Sequence, residues 1–187
     1  MIIIENIFDS VLLIKPKVFE DNRGFFFESY QKEKLRSIGI ENDFIQDNQS
    51  FSKDAGTIRG MHFQSPPHAQ AKLIRVIQGS IQNYIIDIRE DSPTFKQFKS
   101  IELSAENKLL LYLPFGFANG FKTLTKNCEI QYKVDNYYNP ESDNSFAYND
   151  SEINIDWNID YPILSERDKN APSLAEVGTP FIYGDNS

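Results

Sequence analysis

A chain of 187 residues can bury one substantial core and is short for two, so a single domain is expected over residues 1–187. With 40% hydrophobic and 25% charged residues the composition is that of an ordinary globular chain. The formal net charge of -8 argues against a broad nucleic-acid surface, because neutralising phosphates needs an excess of Lys and Arg.

In chain order, the N-terminus MIIIENIFDS is apolar for a few residues and then acidic. It offers neither the h-region of a signal peptide nor the length to cross a bilayer, so no membrane segment and a cytoplasmic location are expected. SYQKEKLRSIG carries one helix that ends at Gly39 in the manner of a C-cap. KLIRVIQGSIQNYIIDIRE is two apolar runs meeting at Gln78-Gly79, which read as a hairpin whose second arm runs from Ser80 to Arg89. FKQFKSIELSAENKLLLYLPFGFANGF adds two strands around a turn at Ser104–Asn107, and CEIQYKVDNYY adds another. The single cysteine, Cys128, has no internal disulfide partner and no CxxC spacing for zinc, and reads as buried filler. Residues 141–187 are less regular and are expected to wrap a barrel or cover its mouth. Many short strands with few helices make the fold all-β, an antiparallel jelly roll with a few short helices.

The stretch LPFGFANGF sharpens that reading, since it resembles the P-x-G-x-x-H hairpin of cupin-like barrels from Pro114 and Gly116, with Asn119 at the position where a cupin carries a metal-ligating histidine. The chain has two histidines, His62 and His68, too few for the usual imidazole cage, so no catalytic metal is expected. Both lie in TIRGMHFQSPPHAQAKLIRV beside Arg59 and Lys72. His68, after two prolines, reads as loop surface. His62, in an apolar alternation, is either a hydrogen-bonded core residue or a base. On a barrel interior it shares one cavity with Arg59 and Lys72, and cations facing inward imply a bound anion unless carboxylates pair with them.

From DNRGFFFES through QDNQSFSKDAGTIRGMHFQ, AQAKLIRVIQGSI, IDIREDSPTFKQF, LSAENK, LPFGFANGF, YKVDNYYNPE and PILSERDKNAP, the chain resembles the dTDP-4-dehydrorhamnose 3,5-epimerase family, nucleotide-sugar epimerases of the cupin fold. The resemblance implies an isomerase that works without a cofactor on a nucleotide-linked 4-keto-6-deoxy sugar. A base removes a proton beside the ketone, the enolate is stabilised, and an acid returns a proton on the opposite face at C3 and/or C5. It implies His62 as base, Asp168 as the carboxylate that fixes its tautomer, Tyr132 as acid and Lys72 as the enolate's cation. Without the family, Tyr132 reads as a barrel-wall aromatic and Asp168 as an N-cap or loop carboxylate.

The same resemblance assigns Arg23 and Arg59 to the diphosphate, a task that suits the guanidinium fork. It assigns Gln46, Asn48 and Glu28 to polar contacts with the nucleotide, and Phe25 or Phe26 with Tyr138 to stacking on the base. It also implies a homodimer with exchanged strands. Two positions depart from the family pattern: Asn119 replaces a second active-site histidine, and Asn83 replaces an aspartate. An amide at 119 can hold the C4 oxygen but cannot carry a histidine's positive charge, so epimerisation at C3 alone or an unusual substrate is set against ordinary 3,5 activity. A 3,4-ketoisomerase of the same substrate class and a non-catalytic cupin that binds nucleotide sugars are the alternatives. The base, whether thymine, cytosine or guanine, is left open.

Overall fold

Runs rich in Val, Ile, Leu and aromatic residues, broken by Gly, Pro, Asn and Asp, give short extended segments rather than helices. In the computed structural model residues 1–184 are described; 185–187, the end of the expected domain and wrap, lie outside the described residues. The elements are β1 (Ile2–Ile7), β2 (Val11–Lys15), β3 (Val18–Asp21), β4 (Gly24–Phe27), α1 (Lys32–Arg36), β5 (Gln46–Ser52), β6 (Ile58–Gln64), β7 (Lys72–Gln78), β8 (Ser80–Asp87), β9 (Arg89–Glu90), β10 (Phe98–Ser104), β11 (Leu110–Leu113), β12 (Phe117–Thr123), β13 (Cys128–Val134), β14 (Asp143–Ser145), α2 (Glu166–Lys169), α3 (Leu174–Val177) and β15 (Phe181–Ile182).

Two antiparallel sheets face each other, one ordered β1-β2-β11-β7-β13-β5 and the other β10-β8-β12-β6-β14. This is the expected jelly roll, and its connections correct one reading. β7 pairs with β11 and β13, and β8 with β10 and β12, so Gln78-Gly79 is a corner between the sheets and not the turn of a hairpin. Two alternating apolar arms look the same in sequence whether they lie side by side or face each other. Gly79 makes the corner possible: its φ is +77°, and a Cβ there would sit 2.3 Å from Thr125 Oγ1.

Helix α1 is shorter than its pattern, starting where the Gln31 side chain accepts from the Lys34 amide. It ends at Arg36 with Ser37 as its C-cap, earlier than the expected stop at Gly39, which instead closes the turn that follows. The Ile40 amide donates to the Leu35 carbonyl and the Gly39 amide to that of Arg36, each at 3.0 Å, with Gly39 at φ +90°. Leu35 and Ile40 then seal the outer face of the first sheet against Ile14, Leu73 and Leu110.

Between the sheets lies an apolar core that includes Leu13, Ile74, Val76, Ile81, Ile85, Leu111 and Ile130, with Cys128 buried among them. The irregular C-terminal segment covers the outer face of the second sheet, placing Phe146, Ile153, Ile155 and Trp157 against Tyr84 and Ile86. Beyond Trp157 the chain returns to the barrel, where Ile163 bridges to Thr57 and brings α2 to the open end. Among the described residues no helix is long and apolar enough to cross a membrane.

Candidate active site

His62 and Arg59 lie three residues apart on β6, a spacing that in a regular strand sends side chains to opposite faces. A register shift removes the conflict. Asn119 pairs with His62 and Phe121 with Arg59, so β6 advances three residues while β12 advances two. The extra residue turns both His62 and Arg59 toward one cavity of about 490 Å³ at the open end of the barrel. Gly60 and Gly120 allow the strands to meet this closely, since a Cβ on Gly60 would lie 2.5 Å from the Gly120 Cα.

Asp168 reaches His62 from α2, and its Oδ1 lies 2.6 Å from His62 Nε2. The carboxylate is 4% exposed, while the imidazole lines the cavity. Ser165, the N-cap of α2, accepts from the Asp168 amide and donates its hydroxyl to Asp168 Oδ2 at 3.0 Å. Burial alone would raise the Asp168 carboxyl, but the hydrogen bonds from His62 and Ser165, with the charges of His62 and Arg167, outweigh it and hold the group below its ordinary value. An ionised Asp168 accepts the Nε2 proton, so the tautomer this contact selects in the neutral imidazole is the one with its lone pair on Nδ1.

Lys72 and Tyr132 enter the same cavity from β7 and β13 of the opposite sheet. Burial draws the Lys72 ammonium down to about 8, against the pull of the Asp143 carboxylate. Burial also raises the Tyr132 phenol, with Arg59 opposing and Asp143 adding to the shift. The His62 imidazole on one wall therefore faces a desolvated phenol and a desolvated ammonium on the other. Arg59 is anchored to Ser52 Oγ and the Phe51 carbonyl at 3.3 and 3.1 Å, so among the described residues it pairs with backbone and hydroxyl oxygens rather than with a carboxylate.

Asn119 stands on the cavity wall, and its Nδ2 donates to Asn83 Oδ1 at 3.0 Å and to the Tyr84 carbonyl at 3.1 Å. The two departures are thus one hydrogen-bonded pair. Both amide hydrogens of Asn119 are engaged, which corrects the expectation that this amide holds the C4 oxygen.

A second chamber of about 300 Å³ adjoins the first and shares His62, Lys72, Tyr132 and Arg167 with it. Gln46, Asn48 and Tyr138 line it, with Gln46 Nε2 donating to Asn48 Oδ1 at 2.8 Å. Arg23, Phe26 and Glu28 are not brought to either chamber. Arg23 pairs with Asp21 on the exposed β3–β4 hairpin, Phe26 is 66% exposed there, and Glu28 pairs with Lys34. His68 lies in the loop after β6, where its carbonyl accepts from Gln64 Nε2.

Among the cavity residues that the sequence reading did not single out are Ser165 and Arg167. Ser165 was signalled by its place three residues before Asp168, an N-cap spacing. Arg167, which joins Asp143 at 2.6 Å and borders both chambers, carried no signal beyond its charge, because Asp143 is remote in sequence.

Known proteins agree with this architecture. A sequence profile of the dTDP-4-dehydrorhamnose 3,5-epimerase family matches residues 5–176. A dTDP-4-dehydrorhamnose 3,5-epimerase of Salmonella typhimurium is 47% identical over 179 residues, covering 95% of this chain and 97% of its own. A crystal structure of the Bacillus anthracis enzyme of that name, with TDP and PPi bound, superposes with a TM-score of 0.90 at 49% identity, over 92% of this chain and 98% of that one. The Legionella pneumophila dTDP-6-deoxy-D-glucose-3,5-epimerase in complex with dTDP-4-keto-L-rhamnose gives 0.86 at 39% identity, over 94% of each chain. The chain belongs to the dTDP-4-dehydrorhamnose 3,5-epimerase family.

Proposed function

We propose that this family member is an isomerase that epimerises a nucleotide-linked 4-keto-6-deoxy sugar, with His62 as base, Tyr132 as acid and Lys72 as the cation beside the enolate. The observation that carries the assignment of roles is the 2.6 Å contact of His62 Nε2 with a buried, ionised Asp168 on the cavity that Tyr132 and Lys72 enter from the opposite sheet. His62 Nδ1 takes a proton from a carbon next to the C4 ketone, and the electron pair moves to the ketone oxygen as an enolate. Asp168 stabilises the imidazolium that forms. The Lys72 ammonium balances the enolate charge. Tyr132 then delivers its proton to the opposite face of the carbon, and the proton on His62 returns to the phenolate through solvent. Its raised pKa keeps Tyr132 protonated until the enolate calls for the proton.

The sugar fits the larger chamber and the nucleotide the polar second one, where Gln46 and Asn48 meet the base and Tyr138 stacks on it. Arg59 takes the diphosphate. Arg23, Phe26 and Glu28 stand apart from their own cavity, with Phe19, Phe25 and Phe26 left exposed, which supports a homodimer whose hairpins reach the neighbouring chain's nucleotide. The cytoplasm suits the buried, reduced Cys128.

The test is incubation with dTDP-4-keto-6-deoxyglucose in D2O, followed by proton NMR. Deuterium at C3, C5 or both with inverted configuration supports epimerisation and fixes its regiochemistry. A ketone moved to C3 identifies a 3,4-ketoisomerase instead. Tight binding without exchange, repeated with the GDP- and CDP-linked keto sugars, identifies a binding protein.

A further inference from the structure

We propose that Asn119 is a specificity-determining residue that reads a sugar hydroxyl through its carbonyl oxygen, so that the enzyme selects keto sugars with a free hydroxyl at C2 or C3 over deoxy ones. The inference rests on the function proposed above. Asn119 Nδ2 has two hydrogens, and both are committed, one to Asn83 Oδ1 and one to the Tyr84 carbonyl. Turning the Asn119 amide over would set its oxygen against the Tyr84 carbonyl, two lone-pair-bearing atoms with no hydrogen between them. Turning Asn83 as well would keep one hydrogen bond in place of two. The observed orientation is therefore the one the surroundings fix.

Its consequence is an acceptor on the cavity wall. Asn119 Oδ1 takes no hydrogen bond among the described residues. It is also not one of their sealed, unpartnered side-chain polar atoms, which are Arg36 Nε and Asn83 Nδ2. On a residue that lines the sugar chamber, that oxygen opens to the ligand. An acceptor repels an enolate oxygen and cannot deliver a proton, so Asn119 contributes nothing to carbanion stabilisation. It matches a hydroxyl donor. Because Asn119 is the register partner of His62 across β6 and β12, the hydroxyl it meets lies on, or next to, the carbon from which His62 removes the proton. Asn83 is fully buried behind it and holds the amide from the rear.

The test compares dTDP-4-keto-6-deoxyglucose with its 2-deoxy and 3-deoxy analogues, measuring deuterium exchange at C5 or C3 by the wild-type protein and by Asn119→Leu. The expected result is that the wild type prefers the parent over at least one analogue by about tenfold in kcat/KM, the worth of one hydrogen bond. In Asn119→Leu that preference collapses to about one, with the loss on the parent appearing in KM. If the variant does not fold, the wild-type comparison of the three sugars still decides. Equal turnover of all three by the wild type, or an Asn119→Leu protein that folds, keeps the discrimination and loses kcat, overturns the assignment of Asn119. Absence of exchange by the wild type with every 4-keto sugar overturns the function itself, and is thereby distinguishable.

Discussion

Strands β7 and β13 pass from one environment into another within a few residues. On β7 the inward positions run from Lys72 to Ile74 and Val76, and on β13 from Tyr132 to Ile130 and Cys128. At the closed end these side chains interlock with Leu13, Ile81 and Leu111 and the space is filled. At the open end a buried carboxylate, a desolvated amine and a phenol border a cavity. The alternation that builds the sheet is the same in both halves, so the difference lies in residue type alone. One end contributes stability and the other accepts a local cost in order to hold charge in a dry place.

If that division is right, substitutions at the two ends fail in different ways. His62→Ala should lower turnover by about 10³-fold or more with the fold retained, because no second imidazole borders the cavity, and full activity in this variant would discard the mechanism. Asp168→Asn should cost about 100-fold, less than loss of the base, with the far-UV circular dichroism unchanged. Asp168 also ties stability to pH: its carboxyl is lowered in the folded protein, so its contribution is complete above the ordinary aspartate range and is lost as pH falls through the folded value. Leu111→Ala, in the closed end, should instead remove about 2–5 kcal/mol of stability in urea titrations and leave kcat per folded molecule near the wild type.

The exchanged hairpin can be probed by mixing two impaired proteins, Arg23→Ala and His62→Ala, after unfolding and refolding together. If hairpins serve the neighbouring chain, one site of each mixed dimer is intact and activity should recover to about a quarter of wild type. Activity no higher than the mean of the two variants alone would place each site within one chain. The smallest effects concern Lys72. Its folded value of about 8 against the ordinary 10.5 means that the unfolded chain binds more protons between those pH values, so stability should rise across that window. kcat/KM should fall over the same range as the ammonium is lost. Lys72→Met should raise Tm by about 2–4 °C for each kcal/mol of relieved desolvation while activity drops.

Much of this was legible in the chain. The all-β alternation, the left-handed turn at Gly39 and the burial of Cys128 follow from local chemistry, and His62, Lys72, Tyr132 and Asp168 do line one cavity. What the sequence hid depends on pairing between distant segments. Gln78-Gly79 looked like a hairpin because alternation does not say which sheet a strand joins. Arg59 and His62 share one cavity as expected, but the register shift opposite Asn119 and Phe121 that turns both toward it is a pairing that their spacing does not show. The direction in which Asn119 points its amide is set by the Tyr84 carbonyl, a backbone atom that no side-chain pattern reveals.

The most direct measurement is the fate of deuterium in the Tyr132→Phe protein. With dTDP-4-keto-6-deoxyglucose in D2O, removal of the acid should leave His62 free to take a proton and return deuterium to the same face, so the account predicts wash-in at the reacting carbon with little epimer formed. Epimer produced at the wild-type rate would show that the proton comes from another group, and loss of all exchange from a folded protein would contradict the division of labour between His62 and Tyr132.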